Sequence, residues 1–299
     1  MPVAGTPLHH GGHVLRTNSD RLIEMAVSGT VSQPTLRAPG YIPDNDGLSV
    51  VRAGMAGIVY NVRTGDSAFG WTADHVEPGV SIAHTDEKLD FALHYLTCIG
   101  NEAEVTSGLA RGARGIVTGE HARMLVDFPA ETYDGLAVGD TIQIKAVGRG
   151  LQLIDYPHIE LKKMSPRLLE AMRIEAVDDR TIHVPVAMEL PVRIMGSGAE
   201  LNSEYVDQDL MSGDRALMSE LGIDTMRLGD LIVINHADHH FGRSYRKDAV
   251  SICLCIHGDS VMTGHGPGIL TLMTCATPNI RWTIDPTANV GHYFGLMGH

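Results

Sequence analysis

The sequence is poor in basic residues and in long apolar stretches, and each shortage argues against a class of protein. It has 23 Lys and Arg against 36 Asp and Glu, for a formal net charge of -13. This balance argues against nucleic acid as a partner, because phosphate backbones are bound through clustered basic side chains. No apolar run reaches the roughly 20 residues that cross a bilayer. We therefore expect neither a nucleic-acid nor a membrane partner.

The start of the chain lacks the basic stretch and the apolar stretch of a secretory signal. Cysteine is also scarce, and the four residues Cys98, Cys253, Cys255 and Cys275 show neither zinc-finger nor Cys-x-x-Cys spacing. Such cysteines are expected to be reduced thiols in the core. Together these features predict a cytoplasmic protein.

Nucleotide-binding motifs are absent too, since no Gly-x-Gly-x-x-Gly follows a strand and no Gly-x-x-x-x-Gly-Lys-Ser/Thr occurs. Ser197 lies between glycines but lacks the Gly-x-Ser-x-Gly pattern of a hydrolase nucleophile. The sequence therefore argues against nucleotide binding and against a serine hydrolase.

Glycine is abundant, with 33 residues in a chain of 299. Glycine pairs mark tight turns or places where a ligand approaches the backbone, and short β-rich runs lie between them. Helical spacing with a capping residue occurs only at 86–97, 165–170 and 214–221. The fold class is therefore predicted to be mainly β (α+β), with Gly-rich β-barrel or sandwich modules and a few short helices.

One pattern occurs twice along the chain, as an apolar residue, Gly-Asp and then alternating apolar residues, at 136–144 and 226–234. The Gly-Asp pair turns the chain, and the alternation that follows feeds one face of a sheet. We therefore predict an N-terminal β-rich domain at 1–162, with a small barrel-like module at about 103–160. A C-terminal α+β domain is predicted at 163–299.

The segment 229–243 combines a buried strand with a polar cluster. If the chain stays extended after Ile234, then His236, Asp238 and His240 share one face at about 6 to 7 Å spacing. Imidazole and carboxylate are ligands that divalent transition metals prefer. The sequence predicts these three residues as metal ligands, with a structural polar network or an exposed loop as the alternatives.

A second polar cluster lies at 74–81. Glu77 precedes a proline and is biased toward an extended conformation, which puts His75 and Glu77 on one face and turns Asp74 away. An imidazole beside carboxylates suits metal ligation or acid-base chemistry. A capped surface turn is the alternative interpretation.

A third candidate is the loop at 260–268, where three glycines and a proline surround His265. Such a loop can present an imidazole and bare backbone N–H groups at the end of a sheet. Asn101, His121 and the segment 155–158 are lesser candidates, since each also fits an ordinary turn. A purely structural turn is the alternative for the loop as well.

Taken together, the blocks at 74–81, 99–101, 115–121, 150–157, 241–243 and 264–268 resemble an uncharacterised prokaryotic family. That family is known as a two-part domain of unknown function, and the resemblance covers most of residues 50 to 275. The resemblance implies that the six blocks belong together in one family pattern, and it implies no activity.

From the residues themselves, we predict a metal-dependent hydrolase of small amides, lactams or lactones that uses Zn²⁺ or Mn²⁺ to activate water. His236, Asp238, His240 and His75 are the predicted metal ligands. The predicted catalytic residues are Glu77 as general base, His265, and Arg243 holding a substrate carboxylate or carbonyl.

Asp74, Asn101 and Arg246 are predicted to contact the small-molecule substrate. Two alternatives remain open, namely a metal-dependent lyase or isomerase that stabilises an enolate, and a non-catalytic metal or small-ligand binding protein. Edge strands of a Gly-rich β protein need cover, so a homo-oligomer is expected.

Overall fold

A computed structural model describes residues 6–8, 15–36, 40–198 and 207–297. The first residues of the chain, on which the expected lack of a secretory signal rests, lie outside the described part. Within it, no helix is both long and apolar enough to span a membrane.

The described part of the chain is built mainly from strands, and the helices are short. The strands in chain order are β1 (Thr6–Leu8), β2 (Leu15–Thr17), β3 (Met25–Val31), β4 (Ile42–Pro43), β5 (Ser49–Val50), β6 (Val80–Ala83), β7 (Glu102–Val105), β8 (Arg114–Glu120), β9 (Met124–Asp127), β10 (Thr141–Ala146), β11 (Ile159–Leu161), β12 (Glu175–Ala176), β13 (Ile182–Val186), β14 (Met188–Pro191), β15 (Met195–Gly198), β16 (Asp207–Leu210), β17 (Leu231–Asp238), β18 (Ser244–His257), β19 (Gly268–Cys275) and β20 (Ile280–Ile284). The α-helices are α1 (Glu87–Leu96), α2 (Pro166–Ala171), α3 (Arg215–Glu220) and α4 (Val290–Tyr293), and short 3-10 helices cover Ser19–Arg21, Ala130–Gly135, Val192–Ile194 and Ile223–Thr225.

The N-terminal half contains a closed antiparallel barrel with the strand order β10-β3-β6-β9-β8-β7. Strand β10 shows the alternation that fills it, since Ile142 and Ile144 are buried between the exposed Gln143 and Lys145. The predicted module at 103–160 contains β8, β9, β10 and most of β7, whereas β3 and β6 come from earlier in the chain. Closure needs them, because a barrel leaves no edge only when its last strand pairs with its first.

The C-terminal half is organised around a mixed sheet with the order β14-β17-β18-β19-β16-β15, and β11 also pairs with β19. Alternate residues of β17 enter two cores: Leu231 and Val233 pack into a core continuous with the barrel interior, and Ile232 and Ile234 pack into a second core on the other face. This period of two is the signature of a strand buried on both faces. The mainly β fold class is confirmed.

The repeated Gly-Asp pattern forms the same turn in both halves. Gly139 and Gly229 have φ of 90° and 89°, a left-handed conformation that glycine adopts without steric cost. The Asp140 carboxylate then accepts a hydrogen bond from the backbone N–H three residues back, and Asp230 does the same. The two turns start β10 in the barrel and β17 in the C-terminal sheet.

The three predicted helices are confirmed as α1, α2 and α3. Each begins after a capping side chain, with Asp86, Ser165 and Asp214 accepting hydrogen bonds from backbone N–H groups of the first turn. Gly222, with φ of 70°, follows α3 as a left-handed stop. All four cysteines are buried and unbridged, as predicted. The homo-oligomer stays a prediction.

Candidate metal centre between the barrel and the C-terminal sheet

Four histidines and two aspartates converge where the barrel meets the C-terminal sheet. We call them the interdomain cluster: His75, His121, Asp207, Asp209, His257 and His265. They form two groups that could each hold a metal ion, and within each group the ligand atoms all lie within 4.8 Å of one another. The first group is His75, Asp209 and His265, and the second is His121, Asp207 and His257.

The two aspartates lie on β16, two residues apart. Alternate residues of a strand point to the same face, so Asp207 and Asp209 reach the cluster together while Gln208 points away. Asp209 is paired with Gly268, the first residue of β19, and Gly268 is paired in turn with His257 at the end of β18. A Cβ atom at position 268 would lie 2.0 Å from His257 Nε2. Glycine at 268 is therefore what makes room for the imidazole.

The barrel side contributes His75 and His121. His75 has φ of 53°, a left-handed conformation that is uncommon for a residue with a side chain. Its backbone N–H donates to Asp259 O at 3.1 Å, and Gly258 N–H donates to Val76 O at 2.9 Å. These hydrogen bonds tie the segment around His75 to the end of β18, so the two halves of the chain meet at the cluster.

The first group centres on one oxygen of Asp209. Asp209 Oδ2 lies 2.5 Å from His265 Nδ1 and 3.3 Å from His75 Nε2. The two imidazole nitrogens lie 3.2 Å apart. Three donor atoms from three separate segments therefore face one point.

The second group uses Asp207 and the other oxygen of Asp209. Asp207 Oδ2 lies 3.3 Å from both His121 Nε2 and His257 Nε2. His257 Nε2 also lies 3.2 Å from Asp209 Oδ1. The ring centroid of His257 lies 4.2 Å from that of His121 and 4.9 Å from that of His75. The two groups are thus adjacent, and Asp209 belongs to both.

A second layer of acceptors holds the remote nitrogens of three histidines. His75 Nδ1 lies 2.9 Å from Asp74 Oδ2, and His121 Nδ1 lies 2.7 Å from Glu77 Oε1. His257 Nδ1 lies 2.9 Å from the Gly258 carbonyl oxygen. Carboxylates and carbonyls only accept, so Nδ1 carries the proton and Nε2 faces the cluster. Ligating histidines in metal sites are held in this way.

The two outer carboxylates are themselves anchored by serines. Ser260 Oγ donates to Asp74 Oδ1 at 2.6 Å, and Ser81 Oγ donates to Glu77 Oε2 at 2.5 Å. Both carboxylates are buried, so neither rotates freely. The result is two parallel chains of serine, carboxylate and imidazole, one directed at each group.

The electrostatics of the cluster are dominated by burial and by the histidine–carboxylate contacts. Burial favours the neutral form of Asp74, yet the hydrogen bond and charge of His75, together with hydrogen bonds from Ser260 and Val261, outweigh it and lower the pKa of Asp74 to about 2. Burial likewise opposes ionisation of Asp209, and hydrogen bonds from His257, His265 and His75 lower its pKa. His257 is buried, but its contacts with Asp207 and Asp209 raise its pKa to about 10. The aspartates are therefore anionic at neutral pH.

Some side chains of the cluster are buried, and others reach the protein surface. The His257 side chain has no exposed surface and that of His75 is 3% exposed, whereas those of Asp207 and His265 are 22% and 18% exposed. Catalytic metal sites keep a coordination position open, whereas structural sites are closed. The exposed side is where a small molecule could approach.

Two predicted residues, His75 and His265, meet in the first group. Asp74 and Glu77 lie beside the cluster in orienting positions. Asp74 was predicted to turn away from His75, and that prediction is wrong. The backbone of His75 is left-handed, and the Asp74 carboxylate contacts the imidazole of His75. Glu77 was predicted as general base, yet both of its oxygens are engaged by His121 and Ser81.

The predicted ligand set of His236, Asp238 and His240 does not form in the described part of the chain, where neither metal-capable group contains any of them. The strand carries a bulge between Asn235 and Ala237, with His236 left-handed at φ of 61°. An inserted residue shifts the alternation of faces. His236 Nδ1 instead accepts from Asp248 N–H, while His240 Nδ1 pairs with Asp238 at 2.6 Å.

The remaining predicted residues have other contacts. Arg243 donates to the carbonyl oxygen of Gly196 on β15. Arg246 pairs with Asp238 at 3.3 Å on the surface. The buried Asn101 side chain binds backbone groups of Cys98 and Val147, and these contacts account for it as a structural residue of the barrel.

Asp207, Asp209 and His257 were missed in the sequence, and His121 was only a lesser candidate there. Two signals could have found them. The pattern Asp-x-Asp at 207–209 places two carboxylates on one face of a strand. His257 ends a long apolar strand just before Gly258, which is where polar side chains leave a sheet.

Comparison with known proteins agrees with the two-part organisation. Residues 41–170 match the model of the N-terminal "Domain of unknown function (DUF4438)", and residues 171–294 match the C-terminal model of the same name. The chain is also similar to a solved structure titled "Crystal structure of TM1086", with 39% identity and a TM-score of 0.89 over 95% of this chain and 99% of that one. No curated protein matches.

Proposed function

Starting from the finding that this chain belongs to the DUF4438 family of two-part domains of unknown function, we propose that it is a metal-dependent hydrolase. The proposed active site is the interdomain cluster, with its first metal position at His75, Asp209 and His265. The contacts that support it come from both halves of the chain, so the site is assembled only when they meet.

The observation that carries the proposal is the orientation of the histidines. His75, His121 and His257 each direct Nδ1 at an oxygen that only accepts, which leaves Nε2 directed at an aspartate in the cluster. A buried core histidine also needs partners at both nitrogens, but here the Nε2 atoms of three histidines converge on the same two aspartates, Asp207 and Asp209. The same pairing raises the basicity of a metal ligand and fixes its ring.

If His75, Asp209 and His265 held a Zn²⁺ or Mn²⁺ ion, the ion would supply a nucleophile by lowering the pKa of water from 15.7 toward about 7. A buried general base would then not be needed to activate that water at neutral pH. This agrees with the contacts of Glu77. One oxygen of its carboxylate orients His121, and the other accepts a hydrogen bond from Ser81. In the proposal, Glu77 and Asp74 are positioning residues.

The substrate class we propose is small amides, lactams or lactones. In the proposal, the metal ion would polarise their carbonyl oxygen. The substrate would enter beside the partly exposed side chains of His265 and Asp207. The net charge of -13 and the lack of nucleotide motifs argue for an uncharged or small substrate over a polyanion.

The test begins with the metal-stripped protein, reloaded with Zn²⁺ or Mn²⁺ and assayed on a panel of amides, lactams and lactones in ¹⁸O-labelled water. The proposal expects turnover that depends on the metal and product that carries one labelled oxygen. His75→Gln should abolish turnover, and His236→Gln is the matched control because His236 lies outside the cluster.

Turnover without incorporation of labelled oxygen would instead favour the lyase or isomerase alternative. Tight metal binding without turnover of any panel member would favour the non-catalytic binding protein. Equal activity of the stripped and reloaded protein would count against a metal-dependent reaction of any kind.

A further inference from the structure

We propose that the interdomain cluster holds two divalent cations at once, with the Asp209 carboxylate as the bridge between them. This inference rests on the proposed metal site and adds a second position to it, at His121, Asp207 and His257. It makes the centre binuclear.

The first argument is the division of the Asp209 carboxylate between the two groups. Its Oδ2 faces His75 and His265, at 3.3 Å and 2.5 Å, and its Oδ1 faces His257 at 3.2 Å. A carboxylate that offers one oxygen to each of two donor sets is placed as a bridging ligand. In two-metal hydrolytic sites the ions lie about 3.5–4 Å apart, a separation that one carboxylate can span.

The second argument is that each position has its own supporting residues. The first position has His75 backed by Asp74, and the second has His121 backed by Glu77. One metal ion would use only one of these chains. In the other, a buried carboxylate would orient a buried imidazole that binds no metal ion.

The third argument is charge. Asp74, Glu77, Asp207 and Asp209 are four buried or partly buried carboxylates, and in the described part of the chain their ion pairs are all with histidine. Buried charges are costly unless they are paired or coordinate metals. Two divalent cations would balance the four carboxylates in place of protonated imidazoles, because a metal ion displaces the proton from the nitrogen that binds it.

The stoichiometry can be measured on the full chain by stripping it with a chelator and titrating Mn²⁺ and Zn²⁺ with elemental analysis of the dialysed protein. We expect two ions per chain for the wild type and one ion for His257→Gln, which removes a ligand of the second position. His265→Gln should also bind one ion, and the matched control His236→Gln should still bind two.

Electron paramagnetic resonance of the wild type loaded with Mn²⁺ supplies a measurement that needs no variant to fold. A carboxylate-bridged pair gives a spin-coupled signal, which grows in as the second equivalent binds. An isolated Mn²⁺ signal together with one ion per chain would overturn the binuclear centre and leave the proposed hydrolase standing. Failure of the wild type to bind either metal would overturn both.

Discussion

Two regions of this molecule are rich in histidine and aspartate, and they differ in what surrounds the carboxylates. In the interdomain cluster, the ion pairs that Asp207 and Asp209 make with the described residues are all with histidine. At the tip of the β17–β18 hairpin, Asp238 pairs with His240 and also with Arg246. The carboxylate of Asp238 is thus already paired with a permanently charged guanidinium.

The neighbourhood of the hairpin tip strengthens this contrast. His240 Nε2 lies 3.8 Å from Glu160, and Glu160 is paired with the buried Lys162 at 2.7 Å. Each carboxylate there is already balanced by a basic side chain. The difference teaches that ligand types close in sequence do not by themselves form a metal-capable group. The hairpin carboxylates pair with Arg and Lys side chains, whereas those of the cluster pair with histidines, which are themselves metal ligands.

The largest expected effect comes from removing the shared ligand. Asp209→Asn replaces one of the two oxygens that the groups use and removes the negative charge that both share. Metal affinity should fall by on the order of 100-fold or more, since even loss of an outer partner costs about 10- to 100-fold. Asp238→Asn is the matched control at the hairpin and should leave affinity unchanged. Titration calorimetry with Zn²⁺ measures the affinity of both variants. Equal losses of affinity would show that the cluster and the hairpin do not differ in metal binding.

A second prediction concerns His239, which is buried at the hairpin and contacts Thr271. Burial is the main cause that lowers its pKa to about 4. The unfolded chain, with a pKa near 6.5, therefore binds more protons between these values, so the contribution of His239 to stability falls as pH drops from about 6.5 to 4. The loss is about 3 kcal/mol at pH 4.

Urea unfolding of the wild type and His239→Gln at pH 7 and pH 4 tests this. Glutamine cannot titrate, so the free energy of unfolding should depend less on pH in the variant, whatever its absolute stability. Parallel profiles for the two proteins would show that His239 is not the group responsible.

Next in size is the outer carboxylate Glu77. Glu77→Gln weakens the hold on His121 Nδ1 and should reduce affinity at the second metal position by about 10- to 100-fold, with the first position less affected. Glu160→Gln at the hairpin is the control, since Glu160 faces His240 and Lys162. An equal change at both positions would mean that Glu77 acts on the whole centre.

The smallest effect is expected for Arg246→Gln. Its side chain is 58% exposed where it meets Asp238, and exposed ion pairs contribute about 0 to 1 kcal/mol. Stability should change little, and metal binding at the interdomain cluster should not change. A gain of a metal ion by this variant would show that Arg246 alone keeps the hairpin from being a site.

Much of the local structure could be predicted because it depends on neighbours in the chain. The caps at Asp86, Ser165 and Asp214 and the Gly-Asp turns before β10 and β17 satisfy backbone groups within three residues. The barrel was predicted only in part, since β3 and β6 lie far from the other strands in the sequence. Their pairing depends on closure, which no local pattern encodes.

Two of the six residues of the interdomain cluster were predicted as site residues, and His121 was a lesser candidate. His75 and His265 stood out through their polar neighbours, whereas Asp207 and Asp209 sit in a short strand with no turn signal and His257 ends an apolar one. The hairpin prediction assumed unbroken alternation through His236, and a single bulge defeated it. Periodicity describes an ideal strand, and a residue inserted by a bulge leaves no mark in the residue types.

The sequence by itself determined the mainly β fold class, the capped helices, the Gly-Asp turns, the buried thiols and the family. Only the tertiary structure decided that segments around 75, 121, 207–209, 257 and 265 meet at one place, and that the hairpin histidines do not join them. The physical reason is that helix caps and turns are local hydrogen bonds, whereas a site between domains forms through strand pairing and packing over long separations in the chain.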